Sequence, residues 1–151
     1  MPRGFWIGVA AKQHVMMGLR DGYCMFAHGE HRAVEKLGVG DLFTYYAPMI
    51  GMGTGGQVRV FVAIGTVLDV PPEAQPMGGA LIGWRRKAHY FDAQDASIYP
   101  LLAQLSFIKD AQHWGIHFRK SLFKVTDADF TVIASAMGAA PAIAHLEDAK
   151  K

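Results

Sequence analysis

Short apolar runs, cut by glycine and proline, set the pattern of this chain. Phe5-Trp-Ile-Gly-Val-Ala10 is brief, apolar and preceded by Gly4, which predicts a buried strand. Residues 13–19 offer one or two helical turns, and Asp21-Gly22 is a turn signal. Residues 23–27 suit a short strand or an irregular segment. Val34 and Leu37, three apart, predict a short helix over 31–37 that stops at Gly38-Val-Gly40. Residues 41–47 predict a strand halted by Pro48, and the four glycines of 49–57 predict a mobile loop. Residues 58–70 are β-branched and long, with Gly65 at a bulge or close approach and Pro71-Pro72 at the end.

The second half is read in the same way. Residues 71–83, rich in proline and glycine, predict a loop, and 84–91 alternate as a strand. Ser97 predicts the cap of a short helix to about Leu105, with Pro100 in its first turn. Residues 114–119 and 122–125 predict two strands joined at Lys120-Ser121. Thr126-Asp-Ala-Asp129 is a capping pattern, and Phe130, Ile133 and Met137 follow at helical spacing up to Gly138. Residues 139–151 predict a frayed helix or flexible tail. About six strands and four short helices without regular β-α alternation predict an α+β fold with a strongly curved or closed sheet. A single domain over 1–138 is expected, with 139–151 as a tail.

Composition adds bounds. The chain has 151 residues, 51% apolar and 19% charged, enough for one domain with its own core. The lone Cys24 excludes an internal disulfide. No apolar run approaches the roughly 18 residues of a membrane span, and the N-terminus lacks a secretory pattern, so a cytoplasmic protein without membrane partners is expected. Neither a G-x-G-x-x-G nor a phosphate-binding G-x-x-x-x-G-K-[ST] occurs. Net charge is only +2, but residues 84–124 hold seven basic and three acidic side chains. That asymmetry points to an anionic ligand or to an ordinary solvated face.

Cys24, His28 and His31 offer three ligands where zinc wants four, or three and a water, so no metal site is expected. A buried cysteine and a structural histidine explain them as well. His113 and His117, four apart on a strand, would lie about 13 Å apart, too far to share a metal. The aromatic residues are more informative. Trp84 beside Arg85-Arg86-Lys87 joins a stacking face to phosphate partners, although most of the aromatics must fill a core.

Eleven motifs stand in a familiar order: Trp6-Ile-Gly-Val-Ala, Cys24-x-x-x-His28-Gly29, Gly40-Asp41, Tyr45-Tyr46-x-Pro48, Phe61-x-Ala-Ile-Gly65, Trp84-Arg85-Arg86, Pro100-Leu-Leu, Leu105-Ser-Phe-Ile108, Trp114-Gly115, Phe118-Arg119 and Leu122-Phe123. Over about residues 5–137 the chain thereby resembles the EVE domain, a PUA-like fold related to the YTH readers of methylated adenine in RNA. The resemblance implies a small mixed β-barrel flanked by short helices. It also implies an aromatic pocket for a flipped, modified base, proposed for modified cytosine in DNA. It places Tyr23 as one cage wall, with Trp84 as the candidate second and Phe107 and Trp114 near the mouth. Ala11 and Cys24 fall at the same pocket, Ala11 where a serine is frequent. Ala47 likewise replaces a common serine. Arg85, Arg86, Arg119 and Lys120 would hold phosphates, whereas Glu30 replaces a lysine frequent after His-Gly. The resulting expectation is a non-enzymatic nucleic-acid-binding module with no cofactor, reading DNA first and modified RNA as the alternative. A third expectation, an enzyme acting on a small aromatic metabolite, lacks a carboxylate pair or triad beside the pocket aromatics.

Overall fold

The computed structural model describes residues 3–51, 55–77 and 79–149. Its centre is a curled, half-barrel sheet. Six strands form the main path: β1 (Phe5–Val9), β2 (Tyr23–Cys24), β3 (Leu42–Met49), β4 (Gln57–Val67), β6 (Ile82–Tyr90) and β8 (Leu122–Val125). Their order is β2-β6-β4-β3-β1-β8. β5 (Glu73–Pro76) pairs with β6, and β7 (Ala96–Ser97) with β4. Among the described residues, β1 and β3 are the one parallel pair. The helices are α1 (Lys12–Asp21), α2 (His31–Lys36), α3 (Asp127–Ala136) and α4 (Ala140–Ala149). The architecture is the α+β curved sheet expected from the element count. Among the described residues no helix is long and apolar enough to cross a membrane.

Strand alternation divides the core in two. Leu42 and Tyr46 of β3 join Ile7, Phe61, Phe130, Ile133 and Met137 under α3. Phe43, Tyr45 and Ala47 face the other way, onto Val15 of α1 and Val34 and Leu37 by α2. β3 and β4 are therefore covered on both faces, which is why they read as continuous apolar runs. Thr44, fully buried between them, donates its hydroxyl to the Ala63 carbonyl at 2.8 Å. Gly65 does mark a close approach: a Cβ there would lie 2.5 Å from the His89 carbonyl oxygen.

Several expectations are corrected. Residues 111–119 form a 3-10 helix kinked at His113, not a strand. Asp110 caps it, accepting from the Gln112 N–H at 2.9 Å and meeting His113 Nδ1 at 2.6 Å. Trp114 and Phe118, four apart, then turn one face to the core. Pro48 does not end β3. It sits at a break in register, where a missing N–H costs no ladder bond. The loop expected over 71–83 contains β5, an edge strand that tolerates Pro76. Ser97 belongs to β7, and only Tyr99–Leu101 turns helically after it. In the glycine-rich loop, residues 52–54 lie outside the described residues.

Candidate binding cleft

α1 ends against β2, and the hairpin of β5 and β6 leans over both. Between them lies an apolar cleft of about 350 Å³, walled by Ala10, Val15, Gly18, Tyr23, Cys24, Arg85 and Tyr90. Gly18 is required, because a Cβ there would come within 2.6 Å of the Tyr23 carbonyl oxygen. Gly22, at φ 77°, closes α1 in the left-handed region and donates its N–H to the Gly18 carbonyl at 2.8 Å.

Two buried phenols pin β2. The Tyr45 hydroxyl donates to the Met25 carbonyl at 2.8 Å and accepts from the Met25 N–H at 3.1 Å. The Tyr90 hydroxyl donates to the Tyr23 carbonyl at 2.8 Å. Burial pushes both phenols well up from their ordinary range, so they remain neutral donors. Burial also pushes the Cys24 thiol up to about 12. Cys24 is therefore a small apolar group of the wall and a poor nucleophile at neutral pH.

The rim combines charge with a flat surface. Glu73 and Arg85 are cross-strand partners on β5 and β6. Glu73 Oε1 accepts from Arg85 Nε at 2.8 Å and lies 2.7 Å from Nη2. So held, the guanidinium lies over the Tyr23 ring, its carbon 3.6 Å from the centroid. Cation–π attraction favours that stack.

A second compartment, also about 350 Å³, shares Ala10, His14 and Met25 with the first and extends to Ala11, His28, Pro48, Met49 and Ser121. The segment entering it is strained. Ala27 and His28 adopt φ 51° and 57°, left-handed values that cost a non-glycine residue roughly 1–2 kcal/mol. Gly29 follows at φ 86°, and a Cβ on it would lie 2.7 Å from the Gly83 Cα. The His28-Gly29 pair thus marks a place where the chain turns against β6.

Of the residues expected at the pocket, Tyr23, Cys24 and Ala11 line these compartments, and Arg85 stands at the rim. Trp84, one step along β6, faces the other side, where it meets the His31 ring at 4.2 Å. Arg86 shares that inner face and is 7% exposed. It donates to the Val34 carbonyl at 3.2 Å and to the Leu37 carbonyl, capping the end of α2. It is thus turned inward, away from the rim. Phe107 packs on His117, Phe118 and Phe123. Trp114 packs on Tyr46 and Phe118, at a depression beyond Pro48. Arg119 and Lys120 are exposed, and Lys120 directly precedes Ser121 of the second compartment.

Sequence reasoning missed Tyr45, Tyr90 and Glu73. Strand pairing brings Glu73 to Arg85, and no local motif announces it. Cys24 is buried, and His31 Nδ1 pairs with Glu35 at 3.0 Å. Among the described residues, no three His, Cys, Asp or Glu side chains are grouped as a metal site requires.

Fold and cleft together define a small α+β protein whose curled sheet carries an apolar cleft with an arginine at its rim. The chain belongs to the UPF0310 family. It is 39% identical over 143 residues to the UPF0310 protein msl3206 of Mesorhizobium japonicum, spanning 93% of this chain and 96% of that one. It is 36% identical over 132 residues to a UPF0310 protein of Mycobacterium avium, spanning 87% and 96%. With the UPF0310 protein YdcG of Bacillus subtilis, identity is 32% over 138 residues, spanning 91% and 94%. No protein-family model matches the chain. A solved crystal structure, a structural-genomics protein of Agrobacterium tumefaciens, superposes with a TM-score of 0.54 at 14% identity, covering 91% of this chain and 94% of that one. That similarity concerns the fold alone.

Proposed function

We propose that this protein is a non-enzymatic binding module of the EVE, PUA-like kind, which takes a flipped, modified base of nucleic acid into the cleft beside Tyr23. A modified cytosine in DNA is the first candidate. The observation that carries this reading is the Arg85 guanidinium lying over Tyr23 at the mouth of an apolar cavity. A methylated base is flat, polarizable and poorly hydrated on its methyl edge, and it gains from apolar walls and a stacking partner. A guanidinium can stack on such a base, and its charge suits the phosphate that arrives with it. The cavity volume falls within the usual range for small-ligand sites. A non-enzymatic reading is supported by Cys24, which is buried in the wall and held as a thiol.

Calorimetric titration with 5-methyl-2′-deoxycytidine and with 2′-deoxycytidine tests the reading. The methylated nucleoside should bind more tightly. Tyr23→Leu keeps apolar bulk but loses the ring under the Arg85 guanidinium, and should weaken binding of the methylated nucleoside. Trp84→Leu should leave the affinity unchanged. The proposal fails if neither nucleoside saturates the protein. It also fails if Trp84→Leu abolishes binding while Tyr23→Leu preserves it.

A further inference from the structure

On the far side of Pro48, the sheet carries an arginine in a conformation arginine rarely adopts. Ala47 pairs with Val60 and Met49 with Gln57, so Val58 and Arg59 together oppose Pro48. This is a bulge, and Arg59 occupies it at φ 51°. Glycine is the residue that suits such a position, and a bulge re-aims one side chain out of the strand's alternation. Backbone strain of this kind tends to be kept where it places a functional group.

The re-aimed group has consistent surroundings. The Arg59 guanidinium carbon lies 5.9 Å from the Trp114 ring centroid and 6.0 Å from that of Tyr99. It donates to the Tyr99 hydroxyl. The two rings meet edge to face at 5.8 Å. Tyr99 is 50% exposed. Among the described residues no carboxylate pairs with Arg59. Arg59 and Trp114 line a shallow depression of about 440 Å³, and Pro48 and Met49 wall both it and the second compartment of the cleft. An unneutralised cation beside two partly open aromatic rings matches the chemistry of a polyanion that carries stacking bases.

We propose that Arg59, Tyr99 and Trp114 form a second subsite, which holds single-stranded nucleic acid next to the base in the main cleft. Arg59 takes a phosphate, and the two rings stack a neighbouring base. The subsite rests on the reading of the main cleft as the base site, and it supplies what a lone base pocket lacks, a grip on the flanking strand.

The test uses fluorescence anisotropy with end-labelled octamers of thymidylate and of uridylate, beside titration with free 5-methyl-2′-deoxycytidine. The variants are Arg59→Gly and Tyr99→Leu. Arg59→Gly should melt no lower than wild type, because glycine accepts the left-handed backbone. It should still bind an octamer about tenfold more weakly, with a salt slope shallower by about 0.7. Tyr99→Leu should weaken octamer binding about 5- to 150-fold with the slope unchanged. Neither variant should alter binding of the free nucleoside. Loss with both octamers supports a subsite blind to the sugar, and loss with one supports it and assigns the sugar. The inference is overturned if wild type binds neither octamer, or if both variants bind them as wild type does. If octamer binding depends on Arg59 and Tyr99 while the nucleoside fails to bind, the subsite stands and the reading of the main cleft falls.

Discussion

Asp41→Ala should destabilise the protein by about 3–5 kcal/mol, a large part of the roughly 5–15 kcal/mol that holds a domain together. Asp41 is 8% exposed, and its carboxylate ties the start of β1 to the turn after α2. Oδ1 accepts from the Gly4 N–H at 2.8 Å. Oδ2 accepts from Trp6 Nε1 at 2.9 Å and from the Gly38 N–H at 2.8 Å. The start of β1, the ring that follows it and the turn after α2 thus share one acceptor. Alanine would remove all three bonds: the Trp6 bond is buried and its unmet donor costs about 1–3 kcal/mol, and the two part-buried backbone bonds add about 1 kcal/mol each. Urea unfolding should show a lower midpoint with an unchanged slope. Asp41→Asn, which keeps the shape and one acceptor oxygen, should cost less. A loss below about 1 kcal/mol for the alanine variant would show that these bonds add little to the fold.

Arg86→Met should cost about 2–4 kcal/mol, through the end of α2 rather than through any ligand. α2 has six residues and ends at Leu37 in extended backbone, with no left-handed glycine to turn its carbonyls. Arg86 performs that task from β6. Its charge lies where a helix C-terminus favours a cation. Methionine keeps the buried stem and removes the donors. Hydrogen exchange should accelerate first in the amides of α2. The salt dependence of nucleic-acid binding should not change, because the guanidinium is turned inward. A slope shallower by about one unit would place Arg86 on a phosphate after all.

Arg86 also shows what the sequence conceals. Three consecutive basic residues look like a patch, yet strand alternation sends Arg85 to the cleft and Trp84 and Arg86 to α2. The alternation is legible, but a buried arginine is not expected, because charged side chains seldom leave water unpaired. β1, β3, β4 and α3 were legible because their signals are local. Thr126 caps α3 as its spacing indicates, accepting from the Asp129 N–H at 3.1 Å. The 3-10 helix at 111–119 is disguised in the sequence, because Trp114, Ile116 and Phe118 alternate with Gly115, His117 and Arg119 as a strand would. The four-residue interval between Trp114 and Phe118, with Asp110 as a cap, carried the right signal. β5 and the Arg59 bulge had no local signal, since both arise from pairing with a neighbouring strand. Within the cleft, Tyr23 was reached through the His28-Gly29 resemblance. Tyr45 and Tyr90 look like core aromatics in sequence, and only the fold brings their hydroxyls to β2.

The central claim is that the cleft beside Tyr23 accepts a modified base. Amide chemical shifts followed during titration with 5-methyl-2′-deoxycytidine test it most directly. The account predicts saturable shifts at Gly18, Tyr23, Cys24, Met25 and Gln75, which wall or adjoin the cleft, with α3 and β8 unmoved. No saturable shift, or shifts gathered on α3 and β8 while the cleft residues stay still, would contradict it.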